Sequence, residues 1–417
     1  MDDRAADGGA VELRAPRRDE LGGWYDSVLR AFGGMPESAE ERAAWLALID
    51  PALAIGARDG GGWVGTAGVY PFRLTVPGGA AVPAAGVTMV GVAATHRRRG
   101  VLTSMMRRQL DDVRSSGRPL AVLTASEPDI YGRFGYGAAT HDLNAEIDTV
   151  RVRLSVPPGT DDVRLRYADP ADVLDACEEL YARQVPLRPG MVARLPGWAR
   201  LPLIDPEGER GGASPLQCVV AERDGEFVGF ARFRVRPEWE AAGPRGTVLL
   251  NDMGAADPLA HAAVWRFLFG IDLTCVLDVR RRPVDEPWLY LVSDLRRCRV
   301  TVRDALYVRL VDVGAALAAR TYQAPVDVVL AVEDVFCPWN SGRWRLSGDA
   351  SGAVCERTGD PADLALSVRE LGAAYLGGVP LAVLAGAGRV REARAGALAG
   401  ASLAFGSAVA PWLPHGF

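Results

Sequence analysis

Apolar positions divide the chain into short elements. They recur at three- and four-residue steps over residues 21–32 and 39–48, which predicts two helices. GGMPES joins them as a loop, with Ser38 placed to cap the second. Strands are predicted over residues 52–58 and 63–72, then a turn-linked pair about VPGGAAVP. Residues 87–93 are almost wholly apolar, as in a strand buried on both faces. A helix is predicted from near Gly100 to Gly117, where glycine can end it, and a second buried strand over residues 120–124. The glycine-punctuated segment SEPDIYGRFGYG follows.

SVPPGTDD, around residues 150–160, marks a boundary. Beyond it come a helix (171–184), a loop-rich stretch to Pro215, and a strand pair (217–222 and 227–236) turning at 223–226. A strand (247–253) and a helix (258–269) complete nearly the first order again, which points to a duplicated unit. The last segment begins near Arg303 and carries strands over 324–332, 342–346 and 353–356, then helices rich in alanine, leucine and glycine. The expectation is an α/β (α+β) protein of three domains, residues 1–155, 156–302 and 303–417.

Composition narrows the function. The net charge of -5 supplies no general attraction to nucleic acid or anionic membranes. Every Lys/Arg position is arginine. Cysteines at 177, 218, 275, 298, 337 and 355 form no CxxC pair, and His96, His141, His261 and His415 do not cluster near them. No metal site is therefore expected, and the thiols are expected to be free and buried in a reducing cytoplasm. Asp2 and Asp3 open a terminus without an apolar signal-peptide core, and no run of 18 apolar residues suggests a membrane span.

The chemistry concentrates in VGVAATHRRRGVLTSMMRRQL, where a buried strand ends in a basic glycine turn that opens an amphipathic helix. Such a turn aims backbone N–H groups and a helix dipole at one spot, and arginine adds charge for phosphate. GxxxxGK[ST] and GxGxxG are both absent, so this is neither a Walker loop nor a dinucleotide fingerprint. Taken alone, the segment serves equally well as a solvated helix start.

Two motifs in order carry more. Arg97, Arg98, Arg99 and Gly100 resemble the R/Q-x-x-G-x-G/A cofactor turn of the GCN5-related N-acetyltransferase superfamily, with Leu102 where a small residue is usual. Tyr131, Gly135 and Tyr136 fit that superfamily's tyrosine four residues before a Gly-aromatic pair. With DALYVRLVDV at 304–313 and a terminal aromatic residue, the whole chain resembles the Eis (enhanced intracellular survival) acetyltransferases. That resemblance implies an active acetyltransferase domain, a degenerate second one, and a C-terminal domain like sterol carrier proteins. It implies acetyl-CoA as co-substrate, a small-molecule amine as acceptor, and a homohexamer built as a trimer of dimers.

Position by position, the resemblance makes Val90, Gly91 and Val92 the strand that pairs with the pantetheine arm. Arg97, Arg98, Arg99, Gly100, Val101, Leu102 and Thr103 would wrap the pyrophosphate, and Ser126 and Glu127 would flank the thioester. Tyr131 would protonate the leaving sulfur, and the α-carboxylate of Phe417 would be the base. A free α-carboxyl, with pKa about 3.5, is a weak base in water, and burial raises it. Phe32, Trp45 and Met89 are candidates to line the acceptor pocket.

Relatives that take aminoglycosides place acids in the N-terminal loop and at the penultimate position, where Gly34 and Gly416 stand here. A more apolar, less cation-selective pocket is expected. A non-enzymatic acyl-CoA or lipid binder and a protein lysine acetyltransferase are the rival readings. His96 is read as ordering its turn, His415 as tuning the carboxylate or lying exposed, and Tyr136 as packing. Asp252 is read as a cap or interface residue, Arg280–Arg282 as a solvated turn or subunit contact, and Trp339 and Trp344 as core.

Overall fold

The computed structural model describes residues 11–34 and 37–417. Asp2, Asp3 and the Met35-Pro36 centre of the expected loop lie outside the described residues. The chain opens with β1 (Glu12–Arg14), α1 (Leu21–Ala31) and α2 (Ala39–Leu48). Ser38 caps α2, its side chain accepting from the Glu41 N–H. β2 (Ile55–Asp59), β3 (Gly62–Thr75) and β4 (Ala81–Val92) form an antiparallel meander. α3 (Val101–Ser115) crosses to β5 (Leu120–Thr124), which lies parallel to β4. The apolar stripe of α3, including Met105, Met106 and Leu110, is buried on that sheet. A short helix, α4 (Pro128–Tyr131), and β6 (Gly137–Ala138) follow.

The second unit runs from β7 (His141–Asp148) and β8 (Arg164–Ala168) through α5 (Leu174–Gln184) to the hairpin β9 (Gln217–Arg223) and β10 (Glu226–Arg236). After a small ribbon, β11 (Trp239–Glu240) and β12 (Gly243–Pro244), β13 (Gly246–Ala255) and β14 (Thr274–Pro283) flank α6 (Pro258–Phe269). β13 and β14 are parallel, as β4 and β5 are. β15 (Thr301–Asp304) pairs with β7 at the sheet's edge. Then β16 (Leu306–Leu310) returns to the first sheet and lies antiparallel between β5 and β6.

The main sheets of these two units have seven strands each, in the orders β1-β2-β3-β4-β5-β16-β6 and β15-β7-β14-β13-β10-β9-β8. β16 covers the outer edge of β5 just as β7 covers that of β14. The two units thus exchange a strand. Sheet membership therefore departs from boundaries at residues 155 and 303: residues 141–148 belong to the second sheet and 306–310 to the first. Local alternation identifies a strand but not the distant edge it completes. The arginines Arg280–Arg282 also prove to lie in β14, not in a turn. Arg282 is buried, and with His261 it holds buried Glu286 down at about 2, although burial alone would raise that carboxyl. Asp252 pairs with the buried Arg232 guanidinium, Nε donating at 2.8 Å.

The last unit holds α7 (Val313–Ala318), β17 (Val326–Glu333), β18 (Gly342–Asp349), β19 (Gly352–Arg357), β20 (Leu364–Ser367), α8 (Val368–Ala374), α9 (Leu381–Gly386), β21 (Val390–Glu392) and α10 (Ala397–Ala404). Its five-stranded sheet runs β19-β18-β17-β20-β21. Five of the six cysteines are buried, and all six are free thiols. Among the described residues no helix is long and apolar enough to cross a membrane.

A buried polar cluster ties this unit to the first. Arg309 on β16 donates through Nη2 to both Asp334 carboxylate oxygens (2.9 and 2.7 Å) and through Nε to the Phe134 carbonyl (3.3 Å). Asn340 Nδ2 donates to Asp334 at 2.9 Å. Neither Arg309 nor Asp334 reaches solvent appreciably. Removing one member strands the other charge in a low-dielectric interior. Asp334→Ala should therefore lower unfolding free energy by about 3–5 kcal/mol in denaturant titration. A loss under about 1 kcal/mol would contradict this picture of the contact.

Candidate active site

β4 and β5 share backbone pairing only from Ala84↔Leu120 to Gly86↔Val122, although β4 continues to Val92. Beyond that point the strands part. Met89 takes a left-handed φ of 54°, which a residue with a Cβ adopts only under constraint. The β3–β4 register slips between Thr66 and Gly68, opposite this kink. Thr66 Oγ1 donates to the Met89 carbonyl at 2.8 Å and fixes it. Gly91 is needed because a Cβ there would stand 2.6 Å from that of Ala31.

At the end of β4 the chain enters the arginine-glycine turn. Arg98 and Gly100 both have positive φ, 62° and 82°. His96 holds the turn through Nε2 to Asp59 Oδ2 (2.7 Å) and Nδ1 to Thr95 Oγ1 (2.8 Å), the ordering role expected of it. The turn leads directly into α3, whose first N–H groups therefore face the same space.

On the β5 side, Pro128 starts a single helical turn that ends in Tyr131. Gly135, with φ 86°, reverses the chain toward Tyr136. The Tyr131 and Tyr136 rings meet edge to face at 6.0 Å. Tyr136 is fully buried, consistent with packing. Burial, with the Glu127 charge nearby, pushes the Tyr131 phenol up to about 12, so it is protonated at neutral pH.

The C-terminus reaches the same place. Thr124 Oγ1 donates to a terminal oxygen of Phe417 at 3.4 Å, and the Phe417 ring packs edge to face on Phe72 at 5.0 Å. One cleft of about 600 Å³ gathers these groups. Its lining includes Val90, Gly91, Val92, Arg97, Arg98, Gly100, Val101, Leu102, Thr103, Ser126, Glu127, Tyr131 and Phe417, with Phe32 and Met89.

Two expected lining residues stand elsewhere. Arg99 is exposed outside the cleft, because the turn aims its neighbours inward instead. Trp45 packs edge to face on Trp198 at 6.1 Å, since α2 turns its apolar face toward the second unit. Sequence reasoning missed Thr124 and Arg133, which also line the cleft. Thr124 was detectable as the polar end of an apolar strand, and Arg133 as part of the tyrosine motif.

His415 is not solvent-exposed chain end. It lies 5.4 Å from the Trp198 ring, with Nε2 3.3 Å from the Tyr181 hydroxyl. Burial, with Arg194 beside it, lowers its pKa to about 3.

Such a cleft is suited to a long, flexible acyl carrier with a diphosphate. A basic turn and helix start lie at one end, a strand edge free of pairing runs along it, and a phenol and a carboxylate both line it. Together with the duplicated fold, this defines a GCN5-related acetyltransferase. Family models for the acetyltransferase (GNAT) domain match residues 12–139 and 190–310, and a model for the sterol carrier protein domain matches 313–414. An uncharacterized N-acetyltransferase of Streptomyces coelicolor is 72% identical over 98% of this chain and all of its own length. The N-acetyltransferase Eis of Mycobacterium tuberculosis is 34% identical over 91% of this chain and 93% of its own. The crystal structure of Eis1 from Mycobacterium abscessus superposes with a TM-score of 0.82 at 34% identity, covering 98% of this chain and 100% of that one. The chain belongs to the Eis family of N-acetyltransferases, and it is an acyltransferase. The GNAT fold implies acetyl-CoA as the acyl donor. Among the described residues, no three His, Cys, Asp or Glu side chains are grouped to hold a metal.

The half-buried histidine gives a pH test. Between about 6.5 and about 3 the unfolded chain binds a proton at His415 that the folded chain excludes, so acidification through this window costs stability. Asp142, raised by burial to about 6, acts with the opposite sign below that pH and is common to both proteins compared. The thermal midpoint of His415→Gln should therefore fall less steeply than that of the parent from about pH 6.5 downward. Parallel acid slopes would count against a His415 that stays neutral in the folded chain.

Proposed function

We propose that this enzyme transfers the acetyl group of acetyl-CoA directly to an amine of a small molecule, with Tyr131 as acid and the Phe417 carboxylate as base. The observation that carries the reading is that a phenol and the chain's own terminus line one cleft, 286 positions apart in sequence (417 − 131). The amine nitrogen bonds to the thioester carbonyl carbon. Collapse of the tetrahedral species breaks the C–S bond. The nitrogen's proton goes to the Phe417 carboxylate, and the Tyr131 phenol donates its proton to the departing sulfur. Backbone N–H groups on the unpaired edge of β4 would face the developing oxyanion. Arg97, Arg98, Gly100 and the first turn of α3 would hold the diphosphate. No step needs a nucleophilic side chain on the enzyme.

The cleft's charge bears on the acceptor. Arg97, Arg98 and Arg133 line it against one acidic side chain, Glu127, and the terminal carboxylate of Phe417, among the described residues. Phe32, Met89 and Phe417 supply apolar surface. Such walls favour a modestly charged, partly apolar amine over a polycation.

Thiol release from acetyl-CoA in the presence of amines tests both halves. Tyr131→Phe should lower kcat by about 10²- to 10⁴-fold, the range of general acid catalysis. One residue added after Phe417 shifts the carboxylate by about 3.5 Å and should abolish turnover while acetyl-CoA binding persists. Full activity in either variant would remove the corresponding role. Across a panel, arylalkylamines should give higher kcat/KM than polyamines or aminoglycosides. The reverse order would refute the acceptor preference.

A further inference from the structure

Chain ends are ordinarily frayed, and a base on the last residue needs something to hold it. The second unit does so. The Ala410 N–H donates to Asp285 Oδ2 at 2.8 Å. Arg188 Nη1 bridges Asp285 Oδ1 and the Ala410 carbonyl, at 2.8 and 2.7 Å. The Trp412 N–H donates to the Pro189 carbonyl at 2.8 Å. Gly190 admits that approach, because a Cβ there would stand 2.9 Å from the Trp412 nitrogen.

The Trp412 indole N–H donates to the carbonyl of Arg281 at 2.9 Å. Arg281 is no ordinary strand residue. Its φ is 53°, and it sits where the β14–β7 register breaks between Val279 and Arg282. Asn144 Oδ1 accepts from its N–H at 3.0 Å and holds the irregularity. Bulges of this kind turn a strand's backbone groups away from the ladder, and a left-handed residue with a side chain persists only when its surroundings fix it. The carbonyl so released is the one that receives Trp412. The Arg282 guanidinium lies 5.1 Å over the Trp412 ring. The Arg281 guanidinium ends beside Gly416, with Nη1 3.4 Å from where a Cβ would be.

We propose that Arg281 is a positioning residue for acetyl transfer. Its bulge fixes Trp412, and through Trp412 it directs the terminal carboxylate into the first unit's cleft. The unit without an arginine-glycine turn thereby takes part in catalysis, by seating the base. This rests on Phe417 being that base. Phe417 lies five residues beyond Trp412, a span of about 17 Å when extended, so releasing the anchor lets the carboxylate roam.

Trp412→Phe keeps a ring and deletes the donor. In the full-length enzyme its kcat should fall about ten-fold or more, with the KM for acetyl-CoA within about two-fold of the parent. Arg281 itself gives a conformational comparison that survives if the tryptophan variant misfolds. Glycine accepts positive φ and a β-branched residue does not, so Arg281→Gly should retain at least about five times the kcat of Arg281→Val. Parental kcat in Trp412→Phe, equal kcat in the two Arg281 variants, or a KM change as large as the kcat change would overturn the proposal. The chain lengthened beyond Phe417 separates the two ideas. If lengthening abolishes turnover while these variants keep it, the base assignment stands and the seating role falls. If lengthening is harmless, both fall.

Discussion

The site depends first on a failure of strand pairing. β4 and β5 are joined over three residue pairs and then diverge, leaving one edge of β4 without a neighbour. An unpaired edge inside a protein is costly unless something satisfies its N–H and C=O groups. Here it borders a cleft instead of core. Met89, held left-handed by Thr66, and Gly91, pressed on Ala31, keep the strand in this shape. The basic turn, the helix start and the phenol acquire their common target because the strands separate between them.

The second dependency is the interleaving of the units. β7 completes one sheet, β16 completes the other, and the tail crosses the second unit to enter the first. Arg309 and Asp334 then lock the turn after Tyr131 to the last unit. The helix α8 reinforces this. Its Arg369 guanidinium lies 2.9 Å from where a Cβ of Gly132 would be, and its backbone approaches Gly137 so closely that no side chain fits. The Tyr131 turn and the terminal carboxylate are thus each held by a different one of the other two units.

Much of this was legible in the sequence where the information is local. Helices 39–48 and 258–269 and the strand 120–124 coincide with the observed elements because apolar period and capping residues specify them directly. The arginine-glycine turn and the Tyr131 motif were legible for the same reason, since each is one continuous segment. Sheet membership of β7 and β16 was not, because a strand's edge partner is chosen by distant residues. Trp45 shows the same limit at one side chain: its helix face was evident, but the neighbour it meets was not. Arg281 was read as part of a solvated turn or subunit contact, and its place at a bulge inside β14 was not legible, since arginine carries no signature of a left-handed backbone.

The placement of β16 also bears on how the protein is made. Leu120 pairs with Leu310, so β5, buried along nearly its whole length, gains its outer partner only after most of the chain exists. At translation rates of about 5–20 residues per second, that interval is roughly ten to forty seconds. During it the emerging polypeptide carries an open apolar strand edge. Nascent-chain chaperones or the growing second unit must shield that edge, and slow synthesis would lengthen its exposure to aggregation.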